Sequence, residues 1–589
     1  MPTKLAEMSK VRRLLIVGLF VTQAVVQAQH EHSQNQVNHD QHVGHDMHGS
    51  ADSSTADDGQ PVWRMPPMDT SMPMLPGLER AMPITAPFLP GVGVDPQSFP
   101  EAVPAEIIEM EDGESLNLEA TLVRRTINGK SFVMYGYNGQ YPGPLIKAEK
   151  GSTVIVHFKN DIEMPTTVHW HGLRLDNRFD GVPNVTQPPV APGETFTYEL
   201  FFRDAGIYWY HPHMREDIQQ DLGLYGNMLV APLRTDYYAP VNREEIVILD
   251  DILMDNAGLI PWGETVPTHA LMGRFGNVML INGTTDYRVS VDRGEIVRFY
   301  ITNVANSRTF NLVFGGARMK VVGSDVSKFE HEEWVESVVI APAERYIIEA
   351  RFETPGEALI TNSIQAIDEF RGEFYPRVDT LGTVVVSDNA VADDFGHGFE
   401  ILRTHEDVRQ DVETYRVHFD RPVDHRLELT LRVNDLPLPI IRAMEFEAGL
   451  YSPPIEWNDA MPMMNWLSSA DQIEWILRDP DTGKENMEIN WAFRKGDVVK
   501  LRIFNNPNTL HPMNHPFHMH GQRYLVLSID GVLNKNLVWK DTSVIPVGST
   551  VDILADISNP GTWMMHCHIA EHLHAGMMLS FVVSGDTHE

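Results

Sequence analysis

Four His-x-His pairs stand in the sequence: His169/His171, His211/His213, His518/His520 and His566/His568. On a strand, residues i and i+2 project from the same face, so each pair can present two imidazoles to one metal cluster. A single such pair in a β-protein is commonly a coincidence; four at matched positions of a repeat form a pattern. The lone cysteine lies inside the last pair, in His566-Cys567-His568. Alternation turns Cys567 away from its neighbours, toward a side where His515, His572 and Met577 are available. Two His, one Cys thiolate and a weak axial Met are the ligand set of a blue-copper electron-transfer site. One strand would then carry electrons from a mononuclear copper through Cys567 into both flanking histidines of a cluster.

The elements that must position these residues show as a repeat counted from Gly151, Gly294 and Gly496. Apolar residues stand at plus three, five and seven, and Asn at plus nine: Val154, Val156, Phe158, Asn160; Val297, Phe299, Ile301, Asn303; Val499, Leu501, Ile503, Asn505. Period-two alternation between turn residues predicts a strand, and three copies predict three related β-domains. Each copy continues through Val190-Ala191-Pro192-Gly193, Ile340-Ala341-Pro342-Ala343 or Ile545-Pro546-Val547-Gly548 to a second turn at Gly206, Gly356 or Gly561. Short strands with Gly and Pro turns fit Greek-key β-sandwiches. His211 and His566 fall five residues after Gly206 and Gly561, whereas Thr361 follows Gly356 and no His occurs from Asn306 to Gly315. The first and third domains thus supply four histidines each and the second none, which places the cluster at the interface of the first and third.

These motifs resemble the multicopper oxidases. The resemblance is carried by His169-Trp170-His171-Gly172, His211-Pro212-His213, the segment His515 to Gly521, His566-Cys567-His568 through His572 to Met577, and Asn138-Gly139-Gln140-Tyr141-Pro142-Gly143-Pro144. It covers about residues 118 to 585 and implies an all-β chain of three cupredoxin-like domains, at 105–238, 239–390 and 391–589. It implies four copper ions: type 1 at His515, Cys567, His572 and Met577; type 2 at His169 and His518; and a type 3 pair at His171, His211, His213, His520, His566 and His568. It also implies a laccase-like oxidase that takes single electrons from a phenolic, aromatic amine or metal-ion donor such as Cu(I) and reduces O2 to water. Asp180 matches the acid that relatives use near the type 2 copper, as a proton relay. The Glu that some bacterial relatives place directly after the last type 1 His is replaced by Leu573, leaving His574 or Glu571 as substitutes. His511 and His574 match no ligand position and read as structural.

Composition frames this reading. Lys plus Arg is 46 against Asp plus Glu 81, a net charge of −35 that argues against nucleic acid as a partner. Lys4, Lys10, Arg12 and Arg13 precede an apolar run from Leu14 to Val26 ending in Val26-Gln27-Ala28, which predicts a signal peptide over 1–28 and a periplasmic or extracellular protein. The run is too short for a membrane span, and no later segment qualifies. Residues 29–104 lack periodic hydrophobicity and predict a flexible arm. His30, His32, His39, His42, His45 and His48 lie in it, with Met65, Met68, Met72, Met74 and Met82. Its composition leaves a copper-collecting arm and a solvated linker equally open. The arm, with Met461, Met463 and Met464, points toward copper tolerance. The competing reading from another class is a non-catalytic copper-sequestering protein.

Overall fold

A computed structural model of the chain describes residues 60–66, 82–368, 373–438, 440–442 and 465–585. The expected signal peptide, the six arm histidines, Met68, Met72, Met74, Met461, Met463 and Met464 lie outside the described residues. The strands form three successive pairs of sheets, with four and five strands over 107–231, six and five over 243–390, and seven and five over 425–584. The predicted repeat strands are present at Thr153–Asp161, Ile296–Asn303 and Asp497–Asn505. Each pairs in parallel with an earlier strand, Ser115–Ile127, Arg243–Ile252 or His425–Val433. On its other side each pairs antiparallel with the strand after the Pro-containing turn. The same pairing in three copies makes them one cupredoxin-like unit repeated.

The residues that bracket the repeat have identifiable work. Gly151, Gly294 and Gly496 have φ of 92°, 88° and 96°, a left-handed region that glycine enters without Cβ conflict. The terminal Asn is buried in every copy, and its Nδ2 donates to two carbonyls. Asn160 reaches Met164 and Val190 at 2.9 and 2.8 Å, Asn303 reaches Arg308 and Ile340 at 2.7 and 2.9 Å, and Asn505 reaches Met513 and Ile545 at 2.7 and 2.9 Å. Val190, Ile340 and Ile545 are the residues that open the second repeated element. One amide therefore ties the end of each strand to the turn behind it and satisfies carbonyls that burial would otherwise orphan.

The arm differs from the expectation of little fixed structure. In residues 60–66, Arg64 pairs with Asp255 at 2.8 Å and donates to the Leu259 carbonyl at 2.6 Å, and Trp63 Nε1 donates to the Thr85 carbonyl at 3.0 Å. Pro87–Phe88 pairs antiparallel with Trp262–Gly263. Tertiary contacts order these stretches although they carry no internal period. Of the arm methionines that are described, Met65 packs against the core containing Cys567 and Met577, and Met82 is exposed. Between the second and third sheet pairs, helix Glu406–Glu413 is docked on both sides. Asp407 receives Lys328 at 3.0 Å, and Asp411 receives Arg523 and Trp539 Nε1 at 2.9 and 2.8 Å.

Candidate metal centre

Strand β1 (His169–His171) holds both of its histidines, whereas β2 (Gly206–His211), β3 (His515–Met519) and β4 (Gly561–Cys567) hold His211, His518 and His566, with His213, His520 and His568 just past their ends. β1 pairs with β2, with His169 opposite His211, and β3 pairs with β4, with His518 opposite His566. The two hairpin-like pairs face each other across the first and third domains. His171 stacks on His518 with ring centroids 3.8 Å apart, and His169 lies over His520 at 4.2 Å. All eight imidazoles are buried. Burial, their mutual proximity adding to it, holds His171, His211, His213, His518, His520 and His568 well below the ordinary imidazole range, and His566 at about 3. These seven are neutral at physiological pH, the state in which imidazole binds metal.

Hydrogen bonds decide which nitrogen each ring offers. Nδ1 of His169, His211, His518 and His566 donates to the carbonyls of Asp180, Pro212, Asp541 and Cys567 at 2.7 to 2.9 Å. Nδ1 of His520 donates to Asp180 Oδ2 at 2.9 Å. Each of these rings therefore keeps a bare Nε2. Nε2 of His520 and His566 face each other at 2.9 Å, lone pair to lone pair, an arrangement that a cation between them makes favourable. Among the described residues, Nε2 of His169, His211, His213, His518 and His568 has no hydrogen-bond partner. His171 is reversed: its Nε2 donates toward Asp541 Oδ1 and Thr542 Oγ1 at 3.1 and 3.0 Å, and Nδ1 is the atom without a partner.

The potential ligand atoms fall into groups within 4.8 Å of one another: His171, His211 and His568; His213, His520 and His566; and His169 and His518 with His171. The six residues expected to form one pair of sites thus separate into two trios, each mixing both domains. Asp180 joins His169 and His520 in a further group. Its position depends on Gly181, at φ 81°, where a Cβ would lie 1.9 Å from the Val168 carbonyl oxygen.

On the opposite face of β4, Cys567 Sγ lies 3.4 Å from His515 Nδ1 and 3.9 Å from His572 Nδ1, and these two nitrogens are 3.4 Å apart. Met577 is buried in the same core, and its carbonyl accepts the Cys567 N–H at 3.1 Å. The Ile569 N–H points at Sγ from 3.4 Å, a contact that stabilises a thiolate. Helix α1 (Ala570–His574) carries His572 over this site. The donor set of both centres, buried imidazoles with bare nitrogens and one thiolate, fits copper.

Sequence reasoning missed four partners of these ligands. Trp475 stacks on His572 at 4.1 Å and stands edge-on to His515 at 4.9 Å, held by its Nε1 donating to the Ala270 carbonyl at 2.8 Å. Glu216 Oε1 lies 3.1 Å from His213 Nδ1, and burial pushes this carboxyl well above its usual range. Asp541 and Arg345 bind behind His171. Of the two substitutes named for the missing acid, Glu571 receives Asn306 Nδ2 at 3.1 Å and Ser307 Oγ at 2.9 Å, while His574 Nε2 accepts the Glu216 N–H at 2.9 Å. Burial pushes Glu571 up to about 8 and His574 down to about 4. A carboxyl raised in this way stays protonated at neutral pH, and its contribution to folding stability declines as pH rises from its ordinary value of ~4.3 toward 8. Glu571→Gln should therefore flatten the fall of Tm between pH 5 and pH 8 relative to wild type, measured by calorimetry at both pH values. An identical decline in the variant would show that Glu571 ionises normally.

Family profiles described as multicopper oxidase match residues 119–235, 236–369 and 461–587. The chain belongs to the multicopper oxidase family. It is 28% identical over 508 residues to the oxidoreductase tpcJ of Aspergillus fumigatus, covering 76% of this chain and 79% of that protein. It is 25% identical over 554 residues to laccase-1 of Cryptococcus neoformans var. grubii, covering 83% of each. In three dimensions it is similar to the multicopper oxidase of Campylobacter jejuni, described as a metallo-oxidase, with a TM-score of 0.61, 21% identity, and coverage of 85% and 98%. It is thus a laccase-like oxidoreductase that uses copper, with O2 as acceptor and a separate electron donor. Among the described residues no helix is long and apolar enough to cross a membrane.

Proposed function

We propose that this chain holds four copper ions and couples one-electron oxidation of a phenol, an aromatic amine or a metal ion to four-electron reduction of O2 to water. His515, Cys567 and His572, with Met577, would hold type 1 copper. His169 and His518 would hold type 2, and the trios His171/His211/His568 and His213/His520/His566 the type 3 pair. The observation that carries this reading is the set of bare nitrogens converging from two domains, one pair of them lone pair to lone pair. Copper, when bound, would supply one-electron redox chemistry at these residues.

The protein does the rest. Cys567 is bonded through the backbone to both His566 and His568, so the thiolate has a short covalent route to each type 3 trio. The sheet holds that route rigid through the Phe517–Cys567 and His518–His566 pairs. Asp180 holds His169 and His520 from outside the cluster and is placed to pass a proton inward. Glu216, 3.1 Å from His213 Nδ1, and Glu571, next in sequence to His572, are both buried, and burial favours their protonated forms. Met577 is a weak thioether donor; Met577→Leu should raise the type 1 potential, and a redox titration showing no rise would remove Met577 from the site.

Export to the periplasm or the cell exterior and a part in copper tolerance belong to the same proposal, supported by the N-terminal run ending at Ala28 and by the His and Met tracts. The test is oxygen uptake by copper-loaded protein with Cu(I), Mn(II) and a phenol as separate donors. Uptake with at least one donor supports the oxidase. Full copper binding with no uptake from any of them would overturn it in favour of sequestration.

A further inference from the structure

The second domain offers no imidazole to the cluster, yet it sends one side chain into its wall. Arg345, at the start of strand Arg345–Phe352, is fully buried. Its Nη1 and Nη2 donate to Asp541 Oδ1 and Oδ2 at 2.6 and 2.5 Å, and its Nε donates to the Ile207 carbonyl, in β2, at 3.1 Å. Asp541 belongs to the third domain and is equally buried. Its Oδ1 accepts His171 Nε2 at 3.1 Å and Thr542 Oγ1 at 2.9 Å, and its backbone carbonyl accepts His518 Nδ1 at 2.9 Å. Asp325, on a backbone at φ 45°, backs the pair: its Oδ1 accepts the Arg345 N–H at 2.9 Å, and its Oδ2 receives Lys540 Nζ at 3.2 Å. All three domains meet at this one ion pair.

Such an arrangement needs a reason, because burying paired charges costs desolvation that their attraction seldom more than balances. The two-pronged contact sets the plane of the Asp541 carboxylate, since two parallel N–H···O bonds hold guanidinium and carboxylate coplanar. That plane in turn sets where Oδ1 stands beside His171. Space on the ligand side is also reserved. A Cβ on Gly172 would lie 2.5 Å from Asp541 Oδ2 and 2.7 Å from Arg345 Nη2, so the residue following His171 is kept small. His171 is the one cluster histidine that presents Nδ1, and the oxygen that takes its Nε2 proton is the one Arg345 holds.

We propose that Arg345 is a positioning residue for the trinuclear cluster: by holding Asp541 in a two-pronged pair, it fixes the tautomer and ring plane of His171 so that Nδ1 faces the metal. This rests on the ligand assignment above. Arg345→Lys keeps the charge and loses the fork; Asp541→Asn keeps the volume and loses the ion pair. Both are to be prepared as full-length, copper-loaded protein. Outer partners of metal ligands typically account for about 10- to 100-fold in metal affinity, so each variant should lose trinuclear copper to a chelator about 10- to 100-fold more readily than wild type. Its type 2 electron paramagnetic resonance signal should change, while its blue type 1 absorption per chain stays at the wild-type value. Unchanged trinuclear retention and an unchanged type 2 signal in both variants would overturn the proposal. So would loss of type 1 and trinuclear copper in equal proportion, which marks a merely structural role. If Arg345→Lys fails to fold, Asp541→Asn alone decides between these outcomes. Wild-type protein that binds no type 2 copper at all would instead defeat the ligand assignment on which the inference stands.

Discussion

Replacing Cys567 with Ser is expected to remove the blue colour and oxidase activity together while leaving three of the four coppers bound. The chain has a single cysteine, so no other thiolate can take its place. A serine hydroxyl is neither ionised at neutral pH nor a soft ligand, and the His515 and His572 nitrogens 3.4 Å apart then face a site without its anionic donor. The trinuclear ligands are untouched, since His566 and His568 project to the other face of β4. Turnover should fall by more than about 100-fold, because even outer partners of metal ligands commonly account for 10- to 100-fold. Visible absorption, copper content and oxygen uptake on the same sample check this. Retained blue absorption would remove Cys567 from the site, and loss of all four coppers would show that the two centres are not independent.

Asp180 should show the second largest effect, and its two replacements should separate two roles. Asparagine still offers an oxygen to His520 Nδ1, 2.9 Å away in the wild type, but cannot carry a proton at neutral pH. Asp180→Asn should keep its copper and lose about 10²-fold in turnover or more, the usual scale for removing a general acid or base. Asp180→Ala removes the acceptor as well and should also release trinuclear copper more easily. If the Asn variant turns over at the wild-type rate, Asp180 serves only to orient His520. The discriminating measurement is turnover per bound copper rather than per chain.

Much of this site could be read from sequence because its logic is local. Side-chain alternation alone puts Cys567 on one face of its strand and His566 and His568 on the other, and the Gly-to-Asn spacing of three repeat strands exposes the domain plan. What escaped depends on chain segments far apart. Arg345 and Asp541 lie 196 positions apart and sit in stretches with no motif of their own. Trp475 reads as an ordinary core aromatic until its ring is seen against His572. The division of six histidines into two trios follows from which ring nitrogens converge in space, and no spacing encodes that. Residues 60–66 and 82–104 misled for the opposite reason: their order comes from an ion pair to Asp255 and an edge pairing with Trp262–Gly263, neither of which leaves a period.

The interdomain position of the cluster also has a consequence in time. One histidine trio draws on residues up to 211 and on residue 568, the other on residue 213 and on residues from 520 onward. During synthesis the first domain is complete some 300 residues before its partners emerge, and a chain is made at about 5 to 20 residues per second. For that interval the early histidines are half-sites without their complement, and no order of events within the first domain can finish them. On the proposed ligand assignment, loading of the trinuclear site would be coupled to the last stage of tertiary assembly, the docking of the third domain on the first. A chain stalled before residue 520 would lack the complement of both trios, so on that assignment O2 reduction would await the finished molecule.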